Sequence, residues 1–460
     1  MKTIACFLMV FIGCVASAQQ SPDFKSMRFD EDYSTVNDST FGSKWYSRMK
    51  HLNLSENRRS YLSFGGDVRY QYFYVENENW GDSPEDHDGY ILSRFLFHAD
   101  LHLGKRVRFF VQTQSSLAEG RLDPSPVDQN PLELHQGFAD FGLLENPTQK
   151  TALLLRIGRQ ELSYGSQRLV AVREGPNNRQ SFDGAKAMLK VANFKADFFY
   201  THYVRASDDI FDDESNDSRQ FWGSYFRYDK IPYIGTTELY YLGLYRESVA
   251  FDSGITGNET RHSVGMRLAN QIGGWRYDLE GVYQFGRFAM TDISAWTASV
   301  NTAFRFNSLK FKPEIGLKTE IISGDRDVTD DKTQTFNPLF PRGAYFGLAA
   351  LVGPSNLIDV HPSISFNIAE GLDWTIDYDA FWRFSEQDGL YAPNASLIYP
   401  AGDSGEKEIG QQLATDFTWD ANAFLSFRAE FTWFKAGKYL QSVTPGNDII
   451  FTGLTMQLQF

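Results

Sequence analysis

Cysteine is almost missing from this chain of 460 residues: there are two, Cys6 and Cys14, both near its start. Lys2, the apolar run Ile4 to Val15 and the small residues Ala16-Ser17-Ala18 have the basic start, apolar centre and cleavage site of a secretory signal, with cleavage expected after Ala18. An alternative reads Phe11-Ile12-Gly13-Cys14 as a lipoprotein site acylated at Cys14. With the leader removed no cysteine remains, which excludes disulfides, thiol catalysis and Cys-ligated zinc. Long hydrophobic runs are missing as well. Past the leader no apolar stretch reaches the roughly 18 residues of a membrane-spanning helix. The 8 histidines are dispersed, and no HExxH, GxSxG, Walker or dinucleotide pattern occurs, so an enzyme, a cofactor and a nucleic-acid partner are not expected.

What the chain has in excess is aromatic residues, 15% of the total with 39 Phe, 23 Tyr and 9 Trp, together with a negative mean hydropathy. Such a chain has ample surface to bury and is not disordered. From Tyr61 to Phe460 segments of about ten residues alternate apolar and polar positions between Gly, Asp, Asn, Ser and Pro clusters, the period-two signature of strands. In Leu372 to Phe384 one face carries Leu372, Trp374, Ile376, Tyr378, Ala380 and Trp382, and the other Asp373, Thr375, Asp377, Asp379 and Arg383. In Leu309 to Ile321 the apolar set is Leu309, Phe311, Ile315, Leu317 and Ile321, with Pro313 marking a bulge or a strand end.

Short connections alternate with long acidic ones, at Glu76 to Asp88, Asp208 to Asp217, Asp325 to Asp331 and Asp388 to Glu408. A soluble sandwich does not require that asymmetry; a transmembrane antiparallel β-barrel does, with tight periplasmic turns, long extracellular loops and an apolar, aromatic-rimmed outer band. The alternating last run ends on Phe460, like the terminal aromatic of outer-membrane barrels. At about 22 residues per strand and connection the expectation is about 18 strands, wide enough for an aqueous channel. The expected organisation is a signal over 1–18, a periplasmic N-terminal segment over 19–60 and the barrel over 61–460. Composition reads residues 19–60 as a flexible terminus, with a plug-like insertion as the alternative.

Apolar positions facing lipid place the alternate positions in the lumen, among them Arg94, Arg108, Arg156, Arg383 and Arg428. An arginine facing lipid near the midplane would cost about 2–4 kcal/mol, which favours the inward placement. Two readings stay open. The arginines make an electropositive channel, or they pair with lumenal Asp67, Asp100, Glu314, Asp377 and Glu430 to fill a polar interior. His98 and His102, on one face around Asp100, read as lumen lining.

The densest charged stretch is GRQELSYGSQRLVAVREGPNNRQSFDGAKAML, in which Gly175-Pro176-Asn177 is poor strand material, so part of it is a loop able to fold inward. This run resembles the alginate export family of outer-membrane β-barrels. A second motif, Thr335-Phe336-Asn337-Pro338-Leu339-Phe340-Pro341-Arg342-Gly343-Ala344-Tyr345-Phe346-Gly347, is similar to that family's later signature. The resemblance implies a monomeric 18-stranded barrel with a constricted, Arg-rich pore for an acidic polysaccharide or a smaller anion. It places Arg159, Arg168, Arg173, Arg179, Asp183 and Arg342 at the pore. The Arg-Glu-Gly-Pro-Asn form resembles the broader branch of the family more than the alginate exporters themselves.

The net charge of −14 would repel anions if it were uniform. The acid, however, lies in the expected outer loops and the N-terminal segment, while arginine lies on strands. Asp325, Asp327, Asp330 and Asp331 lack a complete EF-hand pattern and read as a solvated loop. The functional expectation is a passive outer-membrane channel for anionic solutes in a Gram-negative cell, with an occluded barrel serving as adhesin or envelope component as the alternative.

Overall fold

Period-two segments can hide their apolar face in a sandwich or turn it to lipid. In the computed structural model they take the second course, with 18 antiparallel strands closed into a barrel. Residues 22–84, 86 and 88–460 are described, so the expected signal over 1–18 lies outside the described residues. The first third of the wall is β1 (Tyr61–Glu76), β2 (Tyr90–Leu103), β3 (Val107–Glu119), β4 (Asn130–Asn146), β5 (Thr151–Gln160) and β6 (Phe182–Val191). The second is β7 (Phe194–Arg205), β8 (Glu214–Ile231), β9 (Gly235–Ala250), β10 (Thr256–Ile272), β11 (Trp275–Phe288) and β12 (Thr291–Arg305). The last is β13 (Glu314–Ile322), β14 (Leu357–Ala369), β15 (Leu372–Arg383), β16 (Glu408–Asp420), β17 (Leu425–Ala436) and β18 (Ile449–Gln459).

Each strand pairs with its neighbour in sequence, and β18 closes the ring on β1 from Asp67↔Gln459 to Glu76↔Ile450. Connections after odd-numbered strands share one end and are mostly long, although β11 and β12 are joined by two residues, while those after even-numbered strands share the other and are mostly short, so the four acidic stretches lie at one end. Outward positions such as Phe97, Phe109, Leu239, Met266, Trp296, Leu413 and Trp433 are exposed. An apolar band of this kind, on a sheet without free edges, is the solution a bilayer core imposes.

The run expected from Leu309 becomes strand only at Glu314. Pro313 has no N–H to give a ladder, and Phe311 and Lys312 turn with φ of 63° and 43°. The described part of the segment before the barrel, residues 22–60, packs against the barrel through Phe29 and Tyr33. It contains helix α1 (Lys44–Lys50), capped by Ser43, whose hydroxyl accepts from Tyr46 N at 3.3 Å.

Candidate functional site

The two motifs singled out in the sequence meet inside the barrel. Loop 161–181, after β5, and loop 323–356, after β13, run side by side. Val170 bridges Phe340, Phe340 N donates to Leu169 O at 2.9 Å, and Arg342 N donates to Gln167 O at 3.2 Å. Phe340 inserts its ring among Phe182, Phe221 and Tyr203, at 4.9, 4.9 and 5.6 Å between centroids. Gly343 lies so close to Pro176 that a Cβ there would collide with the proline ring. Asn177 pins the first loop to the wall through Ser93, Leu117 and Asp128 carbonyls at 3.1, 3.1 and 2.9 Å. A Gly-Pro-Asn turn, unsuited to a strand, serves here as the fold-back that narrows the lumen.

Most arginines of this interior are already neutralised. Arg94, fully buried, binds Asp67 at 3.4 Å and makes a closer contact with Glu174. Arg179 binds Glu161 at 2.6 Å and Glu174 at 2.6 Å. Burial pushes the Glu174 carboxyl up, but Arg94, Arg179 and Arg69 outweigh it and hold it at about 2. Arg156 binds Asp140 at 2.7 and 2.9 Å, Arg108 binds Asp100 at 2.7 Å, and Arg428 binds Glu430 at 2.7 Å and Asp416 more closely. Arg168 is held by Glu280 at 3.3 Å and by Glu320.

The N-terminal segment fills the same half of the lumen from the short-turn end. Phe29 sits edge-on to Phe110 and Phe138 at 5.9 and 5.4 Å, and the Arg156 guanidinium lies over the rings of Phe29 and Phe138 at 4.2 and 3.8 Å. Arg108 donates to Phe29 O at 2.7 Å and Arg179 to Ser26 O at 2.9 Å, so this strap reaches the constriction. Arg28 donates to Gly66 O at 2.7 Å and to Phe460 O at 2.9 Å while Glu31 accepts from its Nε at 2.6 Å.

Beside the paired Arg179 and Arg246, further cations line a cavity of about 580 Å³ at the long-loop end. Arg173, Arg205 and Arg219 border it and form no salt bridge among the described residues. Arg219 rests on the rings of Tyr203 and Phe340 at 5.1 and 5.7 Å. Arg342, on the loop strip beside Arg173, also has no carboxylate partner, and its Nε makes no hydrogen bond. Arg173 is held with φ of 60°, left-handed backbone in a residue with a Cβ, on the inward turn of the loop. The two acids of the lining, Asp213 and Glu247, are engaged by Ser207 N at 3.0 Å and by Ser218 and Tyr245 hydroxyls at 3.0 and 3.1 Å.

Of the residues expected at the pore, the structure gathers Arg94, Arg168, Arg173, Arg179 and Arg342 around the two loops. Arg156 and Arg428 are inward and paired, nearer the short-turn end. Arg159 and Asp183 do not line the lumen. Arg156, Gly158 and Gln160 point inward, so Arg159 points out, opposite Asp183, which binds it at 2.9 and 3.0 Å. The sequence run fooled the reading because a continuous motif crosses from strand to loop and its strand part alternates sides. Arg383 faces inward but is consumed by loop carbonyls of Ser404, Glu406, Asp388 and Glu386 at 2.7, 3.1, 3.1 and 3.1 Å and lies over Tyr439 at 3.9 Å. Arg205 and Arg219 were not anticipated; alternation in β7 and β8 was the one available signal, and it does not reveal which arginines lack partners.

Residues 60–448 match the family model described as Alginate export. Three crystal structures from Pseudomonas aeruginosa share the architecture at low identity. OccK11 (OpdR) is 13% identical with a TM-score of 0.53, covering 86% of this chain and 96% of its own. OpdO is 11% identical with a TM-score of 0.56, covering 87% and 97%. OccK2 (OpdF), solved in complex with glucuronate, is 10% identical with a TM-score of 0.54, covering 86% and 98%. No curated protein matches the sequence.

Proposed function

The chain belongs to the alginate export family, a Gram-negative outer-membrane channel barrel, and from that premise we propose that it passes anionic solutes, small sugar acids or chains of acidic sugars, by passive diffusion as a monomer. The reading rests on one observation. Arginines deeper in the lumen, such as Arg94 and Arg156, are cancelled by carboxylates, whereas Arg173, Arg205, Arg219 and Arg342 at the long-loop end have no carboxylate partner among the described residues. The long-loop end is taken as extracellular and the strap as periplasmic, as in bacterial barrels generally. A guanidinium without a protein carboxylate offers its donors to a solute carboxylate, and several spaced along the route allow binding weak enough for release. Lacking a nucleotide motif, the chain supplies no energy of its own, and direction follows the solute gradient.

Reversal potentials in planar bilayers under a KCl gradient test this, with glucuronate as a first organic solute. Anion preference is expected, shifting toward cations in Arg173→Ala/Arg219→Ala/Arg342→Ala. Cation-carried current in the unaltered protein would sink the reading. The strap also favours a second reading, an occluded barrel acting as a binding or envelope component. Absence of current both with the strap and after removal of residues 22–31 would establish that one instead.

A further inference from the structure

Across the lumen from the strap, the wall of β13, β14 and β15 carries a polar cluster that the solute path does not use. The ladder runs Val360↔Ala380 and then Ser363↔Asp377, which sets His361 opposite Asp379 on the inward face. No pairing toward β15 is made at His361 and Pro362, where the proline removes a donor. His361 Nε2 lies 3.1 Å from Asp377 Oδ1, and Nδ1 lies 2.8 Å from Asp379 Oδ2. These distances are short, yet Nδ1 and both oxygens of Asp379 make no hydrogen bond. The donor atoms of the three residues all lie within 4.8 Å of one another. Asp359, the next inward residue on β14, is also 0% exposed, and neither of its oxygens has a partner.

Neighbouring charges answer this only in part, Lys318 attracting Asp359 and Asp379 through space without a hydrogen bond to either. Glu320, opposite Asp359, is taken by Arg168 and by the Tyr345 hydroxyl at 2.9 and 3.2 Å. Lys318, opposite His361, turns its ammonium onto the rings of Tyr345 and Phe346 at 4.8 and 4.3 Å and donates to Tyr345 O at 3.4 Å. Three carboxylates and an imidazole are thus left converging, two of the carboxylates fully buried. Such groups are costly to bury unless a cation or hydrogen bonds compensate them.

We propose that His361, Asp377 and Asp379, with Asp359 beside them, bind a divalent metal cation on the lumen wall. One ring nitrogen among carboxylates favours Zn²⁺ or Mn²⁺ over Ca²⁺, which prefers six or more oxygens. His361 and Asp377 are the partly exposed members and give access from the lumen. The site is distinct from the acidic loop around Asp325 and does not rest on the anion-channel reading.

The test is zinc titration of the detergent-solubilised full chain after chelator treatment, with folding monitored separately by heat-modifiable gel migration. One zinc per chain is expected. His361→Gln and Asp379→Asn should weaken binding by at least about 10- to 100-fold, while Asp327→Asn leaves it unchanged. X-ray absorption on the zinc-loaded unaltered protein should show a single imidazole among oxygen ligands, a readout that stands even if a variant fails to fold. Absence of stoichiometric zinc at neutral pH, a spectrum without imidazole, or equal binding by a folded His361→Gln protein would each overturn the proposal.

Discussion

The two ends of the lumen hold the same kind of side chain in opposite states. Toward the short-turn end Arg108 and Arg156 each face a carboxylate with the strap over them, and the strap's tip reaches the equally paired Arg179 at the constriction. Toward the long-loop end Arg173, Arg205 and Arg219 border open space with none. Inward direction is a property of the strand. Availability to a solute depends on which acids the opposing wall and the inserted loops bring within reach, and so a lumenal arginine is as often mortar as it is a binding group.

The comparison can be broken most severely at a buried pair. Arg179→Ala leaves the buried Glu161 with only its His135 contact at 2.8 Å, and the free energy of unfolding in detergent should fall by about 3 kcal/mol in a urea titration. A loss below about 1 kcal/mol would mean that the paired half is not held by its pairs. Phe29→Ala removes the ring between Phe110, Phe138 and Arg156 and should cost strap docking about 3 kcal/mol. Single-channel conductance should then rise; an unchanged conductance would show that the strap does not obstruct the path.

Lys50 sharpens the same contrast by pH. Burial, and then the nearby Arg28, lower its ammonium from 10.5 to about 7. The docked strap therefore binds fewer protons than the free one between those values, so docking strengthens as pH rises from about 7 to 10.5, by up to about 1.4 kcal/mol per pH unit, and is flat below 7. Nitroxide mobility on Asp23→Cys should fall across that window, and Lys50→Met should abolish the dependence. The smallest stability effect is expected at the open end: Arg173→Ala and Arg219→Ala should each stay within about 0.5 kcal/mol while moving the reversal potential toward cations. A large destabilisation there would reveal a hidden partner.

The barrel was legible because each strand repeats one physical demand, apolar out and polar in, and the turn residues punctuate it. The inward loop was legible from Gly175-Pro176-Asn177, which no strand would carry. Partnership was not, because Arg168 and Glu320, or Arg179 and Glu174, are brought together by loops whose path leaves no periodic trace. Arg159 shows the limit in miniature: one position along from an inward Gly158 it faces out. His361 and the three aspartates were invisible as a set because alternation spreads them over two strands, where they read as ordinary polar lining.

The Arg28 guanidinium has a consequence for the order of assembly. It is held by Gly66 O on β1 and by Phe460 O just past β18, two carbonyls that become neighbours when the first and last strands pair. This one anchor is thus written across the seam and is complete only on a closed ring. Completion of the Arg28 anchor therefore waits on closure, whereas the contacts of Phe29 with β3, β4 and β5 do not. Paying loop-closure entropy first and gaining this anchor afterwards is the signature of a high-contact-order last step.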